Sequence, residues 1–220
     1  VADIRIDGAG KKVTRSDNCR VSDLSVSSDN LTFTYEAKSL PYPIDTSYYD
    51  NEKHTQADAL SVIPFMDEMN YEGLSVSGLS DGYYGLTIGG EFIGRFTARE
   101  LERGINMALL QNTPQYKQAM KIRQMNEERW LKERKMREFY WVEYNLMRKT
   151  GMLWACNEAA VDTLRKYRPH DIFLQWNGDL WLQYMHKGIR EDCVNEQQDL
   201  VNRIYEQNKP IPLRIEIKKF

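Results

Sequence analysis

Phe92-Ile93-Gly94-Arg95-Phe96-Thr97-Ala98-Arg99-Glu100-Leu101 is the stretch on which the fold turns. Phe92 and Phe96 close a strand-like pattern of period two. From Thr97 the period becomes 3.6, because Thr97-Ala98-Arg99-Glu100 reads as an S/T-x-x-E capping box leading into Leu101, Ile105, Ala108 and Leu109. The chain before this point should be β-rich, and the chain after it helical.

Upstream, Ile4 and Ile6 alternate with polar neighbours and run into Asp7-Gly8-Ala9-Gly10. Val21, Leu24 and Val26 precede the turn residues Ser27-Ser28-Asp29-Asn30, and Leu31, Phe33 and Tyr35 then alternate with Thr32, Thr34 and Glu36, which predicts a hairpin. Residues 38–64, with Pro41, Pro43 and Pro64, read as a long irregular connection. A second β block holds Leu74 and Val76, then Tyr84, Leu86 and Ile88, then Phe92 and Phe96, with Gly89-Gly90 as a two-residue hairpin signal.

Downstream, Asn112-Thr113-Pro114 restarts a helix with Thr113 as N-cap and Pro114 at the first helical position. No breaker follows until Gly151, so one helix over about 114–150 is expected. A shorter helix around Glu158 to Tyr167, an aromatic segment with Phe173, Trp176, Trp181 and Tyr184, and a helix near Ile189 to Gln207 come next. Leu213, Ile215 and Ile217 alternate as a final strand. The expected fold class is α+β: small antiparallel sheets or a sandwich over 1–96, a helical part over 97–209, and a strand over 210–220 that returns to the β part, forming one integrated unit.

The 220 residues are 41% apolar and 28% charged with a formal net charge of -2, which argues against a disordered chain and against a strongly basic nucleic-acid binder. In Lys117 to Arg137 basic residues outnumber acidic ones, with Trp130, Phe139 and Tyr140 nearby, yet interspersed glutamates would repel phosphate. A solvated helix face is the better reading. No membrane span or export signal is expected from the sequence. Cys19, Cys156 and Cys193 form no CxxC pair and read as buried free thiols, with one disulfide and one thiol left over as the alternative outside the cytoplasm.

Gly78-Leu79-Ser80-Asp81-Gly82 matches the G-x-S-x-G nucleophile pattern, but a β segment follows at Tyr83 where the pattern needs a helix, so Ser80 is disfavoured as a nucleophile. His54, His170 and His186 are the only candidate bases, and each reads as a structural or exposed loop residue. Asp45, Asp50, Glu52, His54 and Asp58 form the densest group of possible metal ligands, without the spacing of a metal motif. No metal site is expected.

Larger blocks resemble a known family. Glu100 to Ala108 followed by Asn112 to Ala119 resembles the region after the catalytic domain in a group of bacterial SGNH/GDSL-type hydrolases, the GDSL-like lipases and acylhydrolases. The order of neighbours agrees: a strand like Val1 to Asp7, an aromatic-proline segment like Leu40 to Pro43, a step like Ile63-Pro64-Phe65, a hairpin like Gly78 to Gly89 and an N-E-E-R-W helix like Asn126 to Trp130. The resemblance implies acyl transfer from an ester to serine and then to water, with no cofactor. It implies an upstream SGNH catalytic domain as partner, an ester substrate met through that domain, and an extracytoplasmic, periplasmic or secreted location. The family's Gly-Asp-Ser and D-x-x-H blocks do not occur in these residues, so the chain is expected to be an accessory C-terminal part without catalytic residues. Family order places D-x-x-H just upstream of Val1.

Gly104 and Asn106 stand out in the expected helix after Thr97, since glycine costs about 1 kcal/mol against alanine in a helix interior. They are therefore candidates for a surface packed against the catalytic domain, with local kinking or core polarity as the alternative. The alternative to an accessory part is an independent protein–protein interaction module using the long helix.

Overall fold

The computed structural model describes residues 1–46 and 53–220. Among these the strands run β1 Ala2–Asp7, β2 Lys12–Asp17, β3 Cys19–Val26, β4 Asn30–Ala37, β5 Glu72–Ser77, β6 Tyr83–Ile88, β7 Glu91–Thr97, β8 Ile105–Asn106 and β9 Leu213–Lys219. The α-helices are α1 Phe65–Glu68, α2 Ala98–Arg103, α3 Pro114–Val142, α4 Glu158–Tyr167, α5 Ile172–Tyr184 and α6 Lys187–Gln207. The class is α+β, as the change of period at Thr97 indicates.

Two sheets account for these strands. One has the order β2-β1-β5-β8 and the other β3-β4-β9-β6-β7. Pairing is antiparallel except between β1 and β5, which run parallel with Ile4 opposite Leu74 and Ile6 opposite Val76. The alternating residues share one core: Ile4, Ile6, Leu74 and Val76 from the first sheet meet Leu31, Phe33, Leu86, Ile88, Ile215 and Ile217 from the second, all at 2% exposure or less. A buried aliphatic or aromatic side chain contributes about 1.5–3 kcal/mol, so this shared face, rather than any single strand, holds the sheets together. Strand β9 lies between β4 and β6, with Phe33 opposite Ile215 and Leu86 opposite Ile217. The last residues of the chain therefore complete the centre of a sheet.

Gly89 and Gly90 turn β6 into β7 with φ of 59° and 85°, the left-handed pair that a two-residue hairpin turn requires. The hairpin of β3 and β4 forms as predicted, whereas β2 (KVTRSD) is an exposed strand that its polar composition concealed. Residues 78–82 are not a hairpin turn: β5 and β6 belong to different sheets, so these residues carry the chain from one sheet to the other.

The chain divides into two compact units, Val1–Arg123 with Glu206–Phe220, and Gln124–Tyr205. Periodicity changes at 96/97 and 209/210, whereas the units part at 123/124 and 205/206, because the first turns of α3 pack with the strands. Side chains of the β unit build them in. Tyr116 Oη donates to the Ile44 carbonyl at 2.9 Å, and Gln118 Nε2 donates to the carbonyls of Gln207 and Lys209 at 2.7 and 2.8 Å, steering the chain into β9.

The helical unit has its own core of Met136, Phe139, Val142, Leu146, Met147, Leu164, Leu174 and Trp181. Helix α3 ends in a π-helical turn over Glu143–Met147, a widening that turns the Glu143 carboxyl inward. There Oε1 accepts from Trp181 Nε1 and Oε2 from the Trp154 backbone N–H, both at 2.8 Å. Helix α4 matches the predicted bounds. Helix α5 forms from the aromatic segment because Asp171 caps it, its Oδ1 accepting from the N–H groups of Phe173 and Leu174.

Candidate functional site

Residues 130, 134, 137 and 141 follow the i, i+4, i+7, i+11 spacing of one helix face, and residues 173, 176 and 177 follow i, i+3, i+4. The first set lies on α3 and the second on α5, and together they line an open cleft of 560 Å³. The Trp141 and Phe173 rings lie 5.2 Å apart at 36°, and Trp176 meets Phe173 edge-on at 5.5 Å. Trp130, farther along the same face of α3, has the Arg137 guanidinium at 5.7 Å from its ring centroid. Trp130, Phe173 and Trp176 are exposed at 42%, 48% and 67%, far more than large rings in a closed core.

The polar groups are mostly satisfied within the unit. Arg134 Nε binds Glu138 Oε1 at 2.7 Å, Arg129 binds Glu133 at 3.0 Å and Lys132 binds Glu196 at 2.6 Å. Arg129, Lys132 and Arg134 are thus paired with glutamates of α3 and with Glu196. What remains is a groove of flat aromatic walls with amide and guanidinium groups at its rim, within the range of about 300–1,000 Å³ typical of small-molecule sites. It can stack a planar group. It has no nucleophile–base pair among its lining residues.

Ser80, the G-x-S-x-G serine, is elsewhere, in the crossover between the sheets. Its Oγ accepts from Lys219 Nζ at 2.7 Å and lies 3.1 Å from Tyr84 Oη, which itself donates to the Ser80 carbonyl at 2.9 Å. The serine hydroxyl proton therefore faces a phenol oxygen rather than an imidazole. Ser80 ties the crossover to β9. His170 ends a short 3₁₀ turn after α4, and His186 sits between α5 and α6, so both belong to the helical unit, whereas Ser80 is in the β unit.

Gly104 and Asn106 are not inside a helix. The capping box at Thr97 forms as read, with Glu100 N–H donating to Thr97 Oγ1 at 3.2 Å and Thr97 N–H donating to Glu100 Oε2 at 2.7 Å. Yet α2 stops at Arg103, because Gly104 adopts φ 94° and ψ 140°, a conformation open essentially to glycine alone. Asn106 follows in β8 and spends its hydrogen bonds inside the β unit. Its Oδ1 accepts from the N–H groups of Glu72 and Ala108, and its Nδ2 donates to the carbonyls of Met66 and Asn70, at 2.8–3.3 Å.

Asn106 thereby helps fix Glu72, which is fully buried. Tyr35 Oη donates to Glu72 Oε1 at 2.8 Å and Gln115 Nε2 lies within 3.4 Å of both carboxyl oxygens. Burial pushes the Glu72 carboxyl above the ordinary carboxylate range, against the opposing pull of the Tyr35 and Gln115 bonds. This network lies buried within the β unit.

Of the acidic group in the irregular connection, Asp50 and Glu52 lie outside the described residues. Asp45 pairs with Arg123 at 2.6 Å, and the Asp58 carboxyl accepts from Thr55 N–H and Oγ1. Among the described residues no group of three or more His, Cys, Asp or Glu is placed to hold a metal. No described helix is long and apolar enough to cross a membrane. Cys19 and Cys193 are buried thiols as expected, while Cys156 is exposed. Cys156 departs from the expected burial because it lies on the surface just before α4.

A β unit completed by the chain's last strand, joined to a separately packed helical unit with a ligand-sized aromatic cleft, defines a two-unit α+β module. Residues 120–209, which include the cleft, match the family model of the diltiazem deacetylase C-terminal helical domain. Among solved structures, the chain is similar to BT4096, a gut microbial diltiazem-metabolizing enzyme, with a TM-score of 0.93 and 35% identity over 100% of this chain and 50% of that one. The chain thus spans half the length of that enzyme. No curated protein matches. The likeness to a C-terminal region of a hydrolase, read from the sequence blocks, is met at this level.

Proposed function

We propose that this chain is the C-terminal accessory part of an SGNH/GDSL-type serine ester hydrolase, with the catalytic serine, aspartate and histidine contributed from outside these residues. The observation that carries the reading is similarity along the whole chain to half of a diltiazem-metabolizing enzyme, with the helical unit matching a deacetylase's C-terminal domain. Deacetylation, named for the matched family model, is one case of the ester chemistry that the sequence resemblance implies, acyl transfer to serine and then to water. Three features support the assignment of catalysis elsewhere. Ser80 is engaged by Lys219 and Tyr84, the sequence lacks Gly-Asp-Ser and D-x-x-H blocks, and the cleft lining offers no nucleophile–base pair.

On this reading the partner is an upstream SGNH catalytic domain, the ester reaches the enzyme through that domain, and the whole acts outside the cytoplasm. The test is the reading frame ahead of the Val1 codon. A Gly-Asp-Ser block and a D-x-x-H block in frame are expected there. A frame encoding neither, or a stop codon, overturns the proposal and leaves an independent interaction module as the alternative.

A further inference from the structure

We propose that Cys156 is a reactive thiol with His186 as its base, forming a modification site that takes small disulfides. Cys156 Sγ lies 3.3 Å from His186 Nδ1, the two residues being thirty positions apart in sequence and both exposed. With Nδ1 unprotonated, the thiol S–H donates to it.

Both partners sit on pinned backbone. On the cysteine side, the Trp154 N–H is held by Glu143 Oε2 at 2.8 Å and the Ala155 N–H by the Met152 carbonyl at 2.9 Å. Asn157, the next residue, caps the ten-residue helix α4 by accepting from Ala160 N–H at 3.0 Å, which fixes the backbone on the other side of Cys156. On the histidine side, Met185 N–H closes α5 on the Trp181 carbonyl at 2.8 Å, and Arg190 donates to the carbonyls of Tyr184 and Met185. The pair is held by structure on each side rather than brought together by a loose loop.

The other two cysteines make the contrast. Cys193 is 4% exposed with its Sγ directed to the Lys132 carbonyl at 3.7 Å, and Cys19 is 8% exposed, with burial pushing its thiol above the usual range. Neither has an imidazole among its hydrogen-bond partners.

The reaction is thiol–disulfide exchange. Nδ1 of His186 takes the Cys156 proton, and the thiolate attacks one sulfur of a disulfide R–S–S–R. The S–S bond breaks as the Cys156–S–S–R bond forms, and R–S⁻ leaves, taking the proton back from the imidazolium. Cys156 is oxidised to a mixed disulfide and one R–S group is reduced to R–SH, so atoms and electrons balance without a further oxidant.

The test uses the complete protein with 4,4′-dithiodipyridine as the disulfide, release of 4-thiopyridone giving the rate and peptide mapping the site. Cys156 is expected to react first, with Cys19 and Cys193 silent until the protein is unfolded. Cys156→Ser should abolish the fast phase. His186→Asn keeps a hydrogen-bonding group near the place of Nδ1 but no base, so a merely structural role would leave the rate unchanged; loss of a general base should slow it at neutral pH by at least ~10-fold. His186→Gln serves as a second variant, and retained native tryptophan emission shows that each is folded. Modification of Cys19 or Cys193 at a rate equal to Cys156, or wild-type rates in both His186 variants, overturns the proposal.

Discussion

Trp181→Phe should selectively weaken the helical unit, and its effect can be worked from two terms. Trp181 is fully buried and its Nε1 donates to Glu143 Oε1, a carboxyl itself only 1% exposed. Leaving that buried acceptor without its donor costs about 1–3 kcal/mol. Replacing indole by phenyl removes roughly 40 Å³ of side chain, about 1 kcal/mol at ~24 cal/mol per Å³ if the space does not collapse. The expected loss is about 2–4 kcal/mol, which lowers a urea midpoint by roughly 2 M for an m near ~1.5 kcal/mol/M. The assay is unusually selective, because all five tryptophans of the chain, at 130, 141, 154, 176 and 181, fall within Gln124–Tyr205. Fluorescence-monitored unfolding therefore reads the helical unit alone, and four tryptophans remain in the variant. Glu143→Gln should remove part of the same interaction, so the double variant should lose less than the two singles together. A loss below ~1 kcal/mol for Trp181→Phe, or strict additivity with Glu143→Gln, refutes the Glu143–Trp181 link as a keystone of this core.

Glu72→Gln should change how the β unit responds to pH: the buried carboxyl keeps its proton above the ordinary carboxylate range, so the native state binds more protons than the unfolded one, and stability falls as pH rises through that window. Circular dichroism melts between acidic and neutral pH should show this slope in the wild type and a flatter profile in the variant; an unchanged profile would assign the slope to other groups. Gly104→Ala should cost about 1–3 kcal/mol through its backbone conformation, although a Cβ there meets its nearest neighbour at an ordinary 3.5 Å; denaturation of the β unit measures it, and a neutral result would mean that the turn relaxes. Asn106→Ala should cost about 1–3 kcal/mol by stripping buried backbone groups of their partner, with an unaltered urea midpoint counting against it. Under the proposed function, Ser80→Ala should leave p-nitrophenyl acetate hydrolysis by the complete protein unchanged, and a lost acyl burst would restore Ser80 as a nucleophile.

The strands were legible where alternation met a single buried face, as at Leu31, Phe33, Ile215 and Ile217, and the helix starts where a side chain supplies the cap, as at Thr97 and Thr113. Three features were hidden for physical reasons. Strand β2 is polar on both faces, so it has no period to read. The extent of α2 depends on Gly104 taking a positive φ, whereas glycine is compatible with a helix as well as with its end. Helix α5 carries Trp176 and Phe173 beside the buried Trp181, an apolar mixture without a clear stripe, and only Asp171 as a cap announced it. The cleft was half legible: Trp130, Arg134, Arg137 and Trp141 show one helix face, but its facing wall comes from α5 and is set by tertiary packing. The same holds for Cys156 and His186, whose separation in sequence gives no hint of a 3.3 Å approach. The family-like blocks that pointed to a hydrolase's C-terminal region, such as Gly78 to Gly89 and Asn112 to Ala119, are local runs of sequence, whereas the packed surfaces that form the cleft join residues far apart in the chain.

Ester hydrolysis by residues outside this chain is the claim on which the functional reading depends. Labelling the complete protein with a fluorophosphonate, which loses fluoride as a nucleophilic serine bonds to phosphorus, and mapping the modified peptide tests it most directly. The predicted result is a single labelled serine in a Gly-Asp-Ser block ahead of Val1; label on Ser80, or on any other serine of these 220 residues, contradicts it.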